Sequence, residues 1–430
     1  MKHIIEIPEI TRVEGHSAVV VNIKDGKVDS VQLDVFEGTR FFEKIVVGHK
    51  HYELPHITSR VCAICSAGHV LAAIFSIERG IHFQPSPLLQ DLRKLMHLGM
   101  IIESHATHLF ALVLPDYVGA QDLVQFATEH PKEFEHWNAL RKVGAAIQTT
   151  IGGRPFHPVN LQVGGLSRYS TNGELAALLP VLQAALPCAI ELAERLISFD
   201  APVKRATTPI FLALEPGDEY GYFGDTVRTS DGATMPISDY KNYLGEVTVG
   251  YSHAKRSTFS GKSFMVGSMA RMHLYNELLT GEAAHLYKAS PLAGGDRNTI
   301  SNNIAQAIEL VEAIEQSERL IARIAGAHCG ESRPDIHLTP AAGATVGAIE
   351  CPRGTLYHSY TFDETGTVTA ADMITPSAQN TARIERDIYE VVENNVDFPQ
   401  TEMQKRLETL IRAYDPCNTC ATHMVKIHYT

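Results

Sequence analysis

Two cysteine pairs, each spaced C-x-x-C, stand at opposite ends of this chain and constrain its fold more than any other feature. Arg60-Val-Cys62-Ala-Ile-Cys65-Ser-Ala-Gly-His69 lies near the start, and Asp415-Pro-Cys417-Asn-Thr-Cys420-Ala-Thr-His423 lies at the end. Each spacing sets two thiols on one turn of backbone, so both sulfurs can face one point, and a histidine follows closely. Four convergent soft ligands suit a thiophilic transition metal. Zinc ribbons and knuckles hold their pairs about 15–20 residues apart, whereas nearly the whole chain separates these, so a local zinc staple is disfavoured. A thioredoxin-like redox pair needs a short strand-to-helix context that neither motif has. The expectation is a fold that brings both ends together around one metal site.

The chain is 430 residues long, 44% hydrophobic and 20% charged, enough to bury one large core or two. A net charge of −12 without a Lys/Arg stripe argues against nucleic acid. Seven cysteines in no dense pattern, and an N-terminus without a signal-peptide core, point to a reducing cytoplasm. No apolar run reaches the roughly 18 residues of a membrane span, Leu109–Leu114 being far too short. Cys188, Cys329 and Cys351 are read as small apolar residues without a metal role, so no iron–sulfur cluster is expected in this chain.

Alternation in Ser17–Ile23 and Lys27–Val35 around Lys24-Asp25-Gly26 predicts a hairpin. Three- and four-residue periodicity predicts long helices over Leu88–Leu114, Gly173–Ile197 and Thr299–Gly326. Two closing helices are expected over Thr381–Asn394 and Glu402–Tyr414. Residues 215–257 and 343–374 read as β excursions, the latter as three strands with a turn at Glu364–Gly366. With no repeat and no linker, 1–430 is taken as one mainly α, α+β domain. A helical bundle of this kind can bring distant segments together at a buried centre.

At the cysteine motifs the chain resembles the large subunit of nickel–iron hydrogenases, whose R-x-C-G-x-C-x-x-x-H and D-P-C-x-x-C-x-x-H patterns it repeats, with Ala63 where the family has glycine. Further family strings follow in order: Thr11-Arg-Val-Glu14-Gly-His16, Glu37-Gly-Thr-Arg-Phe-Phe-Glu43, Glu103-Ser-His105, Gly153-Arg-Pro-Phe-His157-Pro and Pro352-Arg353-Gly354. Glu37–Glu43, Leu114-Pro-Asp-Tyr117 and Ala413–Cys417 are similar to the soluble bidirectional type, including sulfhydrogenases and electron-bifurcating enzymes. The resemblance implies an iron–sulfur small subunit, flavin subunits using NAD(P) or ferredoxin, and maturation proteins. It also implies a long-helix bundle with peripheral hairpins.

The resemblance further implies that Cys62 and Cys417 are terminal nickel ligands, while Cys65 and Cys420 bridge nickel to an iron carrying carbon monoxide and cyanide. Thiolates are strong, polarisable donors suited to nickel in several oxidation states. Hydrogen would be split heterolytically, and Glu14 would carry the proton away, a task needing a partly buried carboxyl of raised pKa. Arg353 is implied to lie over the iron, either as a base or by holding cyanide; a guanidinium is a poor base. Asp116 and Asp415 match carboxylates around that arginine. His69 is implied to hydrogen-bond a bridging thiolate. Ser377 reads equally as a cyanide donor or a helix cap. Glu43, His423 and the Thr381 carbonyl match a magnesium or iron site.

The resemblance implies that an endopeptidase cleaves after His423, which would make 424–430 a discarded extension, the alternative being that this enzyme keeps its short tail. The rival readings are a hydrogen sensor, a metal-free quinone-site subunit of the complex I type, whose lineage lacks the four cysteines, and a structural zinc protein.

Overall fold

A computed structural model describes residues 2–200, 207–325, 338–395 and 398–422. The chain opens on a three-stranded antiparallel sheet, β1 (Lys2–Ile7), β2 (Ser17–Lys24) and β3 (Lys27–Val35), in that order. The predicted hairpin joins β2 to β3, and its Asp25-Gly26 turn has φ of 52° and 77°, the two left-handed residues that match the twist of the strands. Val19, Val21 and Ile23 point into the core. Strand β1, absent from the sequence reading, pairs with β2 from Lys2 to Ile7.

Helix α1 (Ser66–Gly80) leaves the first cysteine motif, and α2 (Pro87–Ala106) follows. The periodicity that suggested one helix to Leu114 instead passes through a π-helical stretch, Thr107–Val113, into Leu114–Val118. Pro115 lacks an N–H and so cannot close a regular α turn. Helix α3 (Pro131–Gly152) packs most extensively on α2, where a side chain at Gly144 would strike the Gly99 carbonyl at 2.5 Å. Helix α4 (Leu179–Ser198) begins after a separate turn of helix at Asn172–Ala176, so the expected 173–197 helix is broken before Pro180.

Strand β4 (Ile210–Leu214) precedes the 215–257 segment, which contains β5 (Thr226–Thr229), β6 (Thr234–Pro236) and β7 (Leu244–Thr248), the last paired as a hairpin with β8 (Lys255–Phe259). Strand β9 (Phe264–Met265) joins β4 in parallel. Helices α5 (Ser268–Tyr275) and α6 (Asn302–Ala325) follow, and α6 packs against α2 and α4. Strands β10 (Gly343–Cys351), β11 (Gly354–Phe362) and β12 (Val368–Ile374) form a second three-stranded antiparallel sheet. Helices α7 (Pro376–Glu393) and α8 (Gln400–Ala413) return the chain to the centre.

By length and apolar composition two helices could cross a membrane, Pro87–Val118 and Asn172–Ser198, which corrects the expectation that no stretch is long enough. The apolar window of the first is 89% buried inside the chain, as a core helix is, and that of the second 33%.

Candidate metal centre

The first cysteine pair is held between a tight turn and a helix start. Ser59–Val61 ends in extended backbone at Cys62 (φ −151°, ψ 149°), and Cys65 is the residue that begins α1. Helix α1 lies flat on β10 because two glycines let it: a Cβ on Gly68 would sit 2.4 Å from the Cys351 sulfur, and one on Gly347 would sit 2.4 Å from the Ala72 carbonyl. That close approach sets the β10–β11 turn beside the motif. Only Pro352 and Arg353 link Cys351 to its cross-strand partner Gly354, whose φ of 128° suits glycine alone.

The second pair arrives from α8. Asp415 adopts a left-handed φ of 52° ahead of Pro416, a conformation that aspartate tolerates and proline leaves open by disfavouring a helical residue before it. Cys417 then begins a single turn, Asn418–Ala421, that carries Cys420. The segment is pinned from several directions. Glu14 forms a parallel bridge with Cys417, and its carbonyl accepts from the Asn418 amide at 2.9 Å. The Cys417 amide donates to the Ser377 hydroxyl at 2.9 Å, and Asn418 donates to Ser17 at 3.1 Å.

These elements gather all four cysteines, buried and unpaired by disulfides, with sulfurs within 4.8 Å of one another. Cys62 lies 3.5 Å from Cys417, Cys65 lies 3.3 Å from Cys420, and Cys417 lies 2.9 Å from Cys420. Hydrogen bonds from Cys417, then Cys420 and Cys65, hold the Cys62 thiol well below its usual value. Burial pushes the Cys417 thiol up, but hydrogen bonding, chiefly from Cys420, brings it down to about 7. Cys65 and Cys420 are pushed up, first by Cys417. Four soft donors converging in a dry pocket fit a thiolate-bound metal centre.

Glu14 touches this cluster directly: the Cys417 sulfur lies 3.0 Å from its carboxylate, which also takes the Thr419 amide at 3.2 Å and the Thr419 hydroxyl. Burial, followed by the charge and hydrogen bond of Cys417, raises its pKa to about 8. Arg353 donates to the Asp415 carbonyl at 2.7 Å, to its carboxylate at 2.9 Å and to Ser104 at 3.3 Å. Against the pull of burial, Asp415 and then Cys417, Cys65 and Cys62 keep this guanidinium charged.

His69 sits 3.9 Å from the Cys420 sulfur through Nε2, while its Nδ1 meets His358 at 3.0 Å; His358 in turn meets Tyr360 at 2.7 Å. Asp116, expected around Arg353, hydrogen-bonds two other arginines: Arg12 contacts it, and Arg412 spans it at 2.7 and 3.0 Å. Ser377 is inside the first turn of α7 rather than its cap, which is Thr375, and its hydroxyl holds the Cys417 amide.

Glu43 takes the Met373 amide and the Lys255 ammonium, both at 2.8 Å; Lys255 also meets Glu246 at 2.9 Å and Asp372 at 3.8 Å. Thr381 is buried in the second turn of α7, where its hydroxyl donates to the Ser377 carbonyl at 2.9 Å. His423, Cys329 and 424–430 lie outside the described residues. His105 pairs with Glu309 at 2.9 Å, His108 with Gln306 and with the Arg412 carbonyl at 2.7 Å, and His157 with the Ser59 carbonyl at 2.8 Å.

Sequence reading missed the group that supports the Pro-Arg turn from behind. Arg271 donates to Glu309 and Glu350, each at 2.7 Å, and to the carbonyls of Cys351 at 3.0 Å and Pro352 at 3.2 Å. All three charged groups are fully buried. No spacing announces such a triad, because its members come from α5, α6 and β10.

A family model described as nickel-dependent hydrogenase matches residues 40–138 and 222–423, which include both cysteine motifs. This chain belongs to the nickel-dependent hydrogenase family. It is 35% identical to the sulfhydrogenase 1 subunit alpha of Pyrococcus furiosus over 98% of both chains. It is 29% identical to the NAD-reducing hydrogenase HoxS subunit beta of Cupriavidus necator, over 97% of this chain and 94% of that one. Its fold is similar to that of an NAD+-reducing NiFe hydrogenase in the H2-reduced state, with a TM-score of 0.86, 25% identity and coverage of 98% and 99%. The NiFeSe hydrogenase of D. vulgaris Hildenborough shares the fold at a TM-score of 0.78 and 20% identity, over 98% of this chain and 100% of that one. The chain is thus a hydrogenase large subunit, an oxidoreductase catalysing H2 cleavage, with the mainly α, α+β architecture of its family.

Proposed function

We propose that this subunit cleaves H2 reversibly at a nickel–iron centre whose iron carries carbon monoxide and cyanide. Its electrons would pass to an iron–sulfur small subunit and then, through flavin-bearing partners, to NAD(P) or ferredoxin in the cytoplasm. The carrying observation is the convergence of four buried thiols with Glu14 against one of them. When bound to Cys62, Cys65, Cys417 and Cys420, such a centre supplies heterolytic cleavage of H2.

The rest falls to the chain's own side chains. Glu14 receives a proton from the Cys417 sulfur across 3.0 Å; a carboxyl with a pKa of about 8 can take it up and release it near neutral pH. Arg353, held charged by Asp415, acts by positioning and electrostatics rather than as a base. His69 orients Cys420, and Ser377 holds the Cys417 amide in register. Burial of the cluster excludes bulk water from it.

A hard cation, magnesium or iron, is proposed at Glu43, the Thr381 carbonyl and His423. Its support is charge balance: Glu43, Glu246 and Asp372 surround Lys255, so among the described residues these carboxylates outnumber the cation they share. The small subunit is proposed to dock where Phe36, Phe41, Ile45 and Tyr52 are exposed, close in sequence to the first cysteine motif.

The test is elemental and spectroscopic. Purified complex should contain nickel and iron, show infrared bands of carbon monoxide and cyanide, and reduce NAD(P) or ferredoxin with H2. Zinc without nickel and no such bands would refute the reading, and slow turnover with a signalling partner would favour a hydrogen sensor. The mass of the nickel-loaded chain decides whether 424–430 is removed.

A further inference from the structure

The segment Glu37–Glu43 contains an arginine that the reaction described above does not use. Arg40 reaches both cysteine motifs with one guanidinium. Its Nη1 donates to the Arg60 carbonyl at 3.2 Å, and its Nη2 donates to the Val61 carbonyl at 2.5 Å and the Thr419 carbonyl at 2.9 Å. The Val61 carbonyl belongs to the peptide unit that carries the Cys62 nitrogen, and the Thr419 carbonyl to the unit that carries the Cys420 nitrogen. One planar fork therefore holds the peptide plane entering one cysteine of each pair.

A second observation comes from the backbone. Phe41 is left-handed, with φ 52° and ψ 36°, a conformation that a bulky residue rarely adopts and keeps only when its surroundings impose it. Its ring is exposed on this chain, so burying Phe41 within the chain is not what the strain serves. The turn is closed by the Lys44 and Ile45 amides, which both donate to the Phe41 carbonyl at 2.9 Å, and Arg40 packs over the Phe42 ring at 5.4 Å. The strained turn thus presents Arg40 inward. Glu14, Ser377 and Arg353 tie the C-terminal motif to other parts of the chain, whereas Arg40 ties its backbone to that of the N-terminal motif.

We infer that Arg40 is a positioning residue, a latch that sets the C-terminal cysteine motif in register against the N-terminal one and so retains the metal between them. This rests on reading the four cysteines as the nickel–iron site. A lysine cannot replace it fully, because an ammonium is a point charge without the planar fork that spans several carbonyls at once.

The test compares Arg40→Met and Arg40→Lys with the parent in the assembled, nickel-loaded enzyme. Two quantities are read: the rate of nickel loss to EDTA, and amide hydrogen exchange in 60–66 and 417–422. Arg40→Met should lose nickel about 10–100-fold faster, as supporting residues around metal ligands do, with exchange rising together in both segments. Arg40→Lys should fall between. Parental nickel retention and exchange in Arg40→Met would overturn the latch, and if that variant does not assemble, the same parental behaviour in Arg40→Lys would do so. Should the parent itself hold no nickel, the reading of the cysteines fails, and exchange in the two segments of the metal-free chain still decides for or against the latch.

Discussion

Glu14 and Cys417, from opposite ends of the chain, meet through both side chain and backbone: sulfur and carboxylate are 3.0 Å apart, and the two residues pair as a parallel bridge. Glu14→Gln keeps the shape and the Thr419 contacts but removes the titratable oxygen. Turnover with electron acceptors should fall by about 10²–10⁴-fold while nickel and iron content stay at the parental level. Full H2 oxidation by this variant, assayed by dye reduction beside metal analysis, would remove Glu14 from the proton route.

Arg353→Lys tests the arginine at the turn between β10 and β11. Lysine keeps one charge but cannot serve the Asp415 carbonyl, the Asp415 carboxylate and Ser104 together. Activity is expected to drop about 10-fold or more, with nickel retained and the cyanide infrared bands shifted. Unchanged rate and bands would show that the fork geometry is irrelevant.

The Arg271 triad should matter for stability. Arg271→Met strands Glu309 and Glu350 in the core, and removing one partner of a buried ion pair costs about 3–5 kcal/mol. Arg271 holds Glu309 below the ordinary carboxylate range against the upward push of burial, so the lost attraction is substantial. A thermal melt of the complex should show a clear drop in midpoint. Adding Glu309→Gln and Glu350→Gln should recover part of it.

Glu103 gives a pH signature away from the metal ligands. Burial, opposed by its hydrogen bond from Gln148 at 2.7 Å, raises its pKa to about 7. The folded chain therefore holds a proton that the unfolded chain gives up near pH 4.5, so this contribution is full below about 4.5 and lost as pH rises through 7. Its ceiling is roughly 3 kcal/mol. Glu103→Gln should flatten the fall in stability between pH 5 and 8; an identical slope in denaturant titrations would exclude Glu103 as its source.

Much of the fold was legible where local chemistry decides it. Asp25-Gly26 forms the expected hairpin turn, and the periodic stretches around Leu88, Leu182 and Asn302 became α2, α4 and α6. Helix α3 escaped notice because its apolar residues are sparse, and it is a helix that packs closely only because Gly99 and Gly144 are small. The break at Thr107–Val113 was invisible because the apolar pattern runs through it. Beyond that break, Asp116 meets Arg12 and Arg412, partners that no local spacing announces.

Within the centre, sequence alone determined the ligand types and their pairing in twos, since a C-x-x-C spacing acts within one turn of backbone. It also showed that the pairs are too far apart along the chain for a local site. Only the tertiary structure decided which distant groups meet them: Glu14 at Cys417, Asp415 at Arg353, Ser377 at the Cys417 amide, and Arg40 across both motifs. Those contacts depend on where whole helices and strands pack, and no local spacing encodes that.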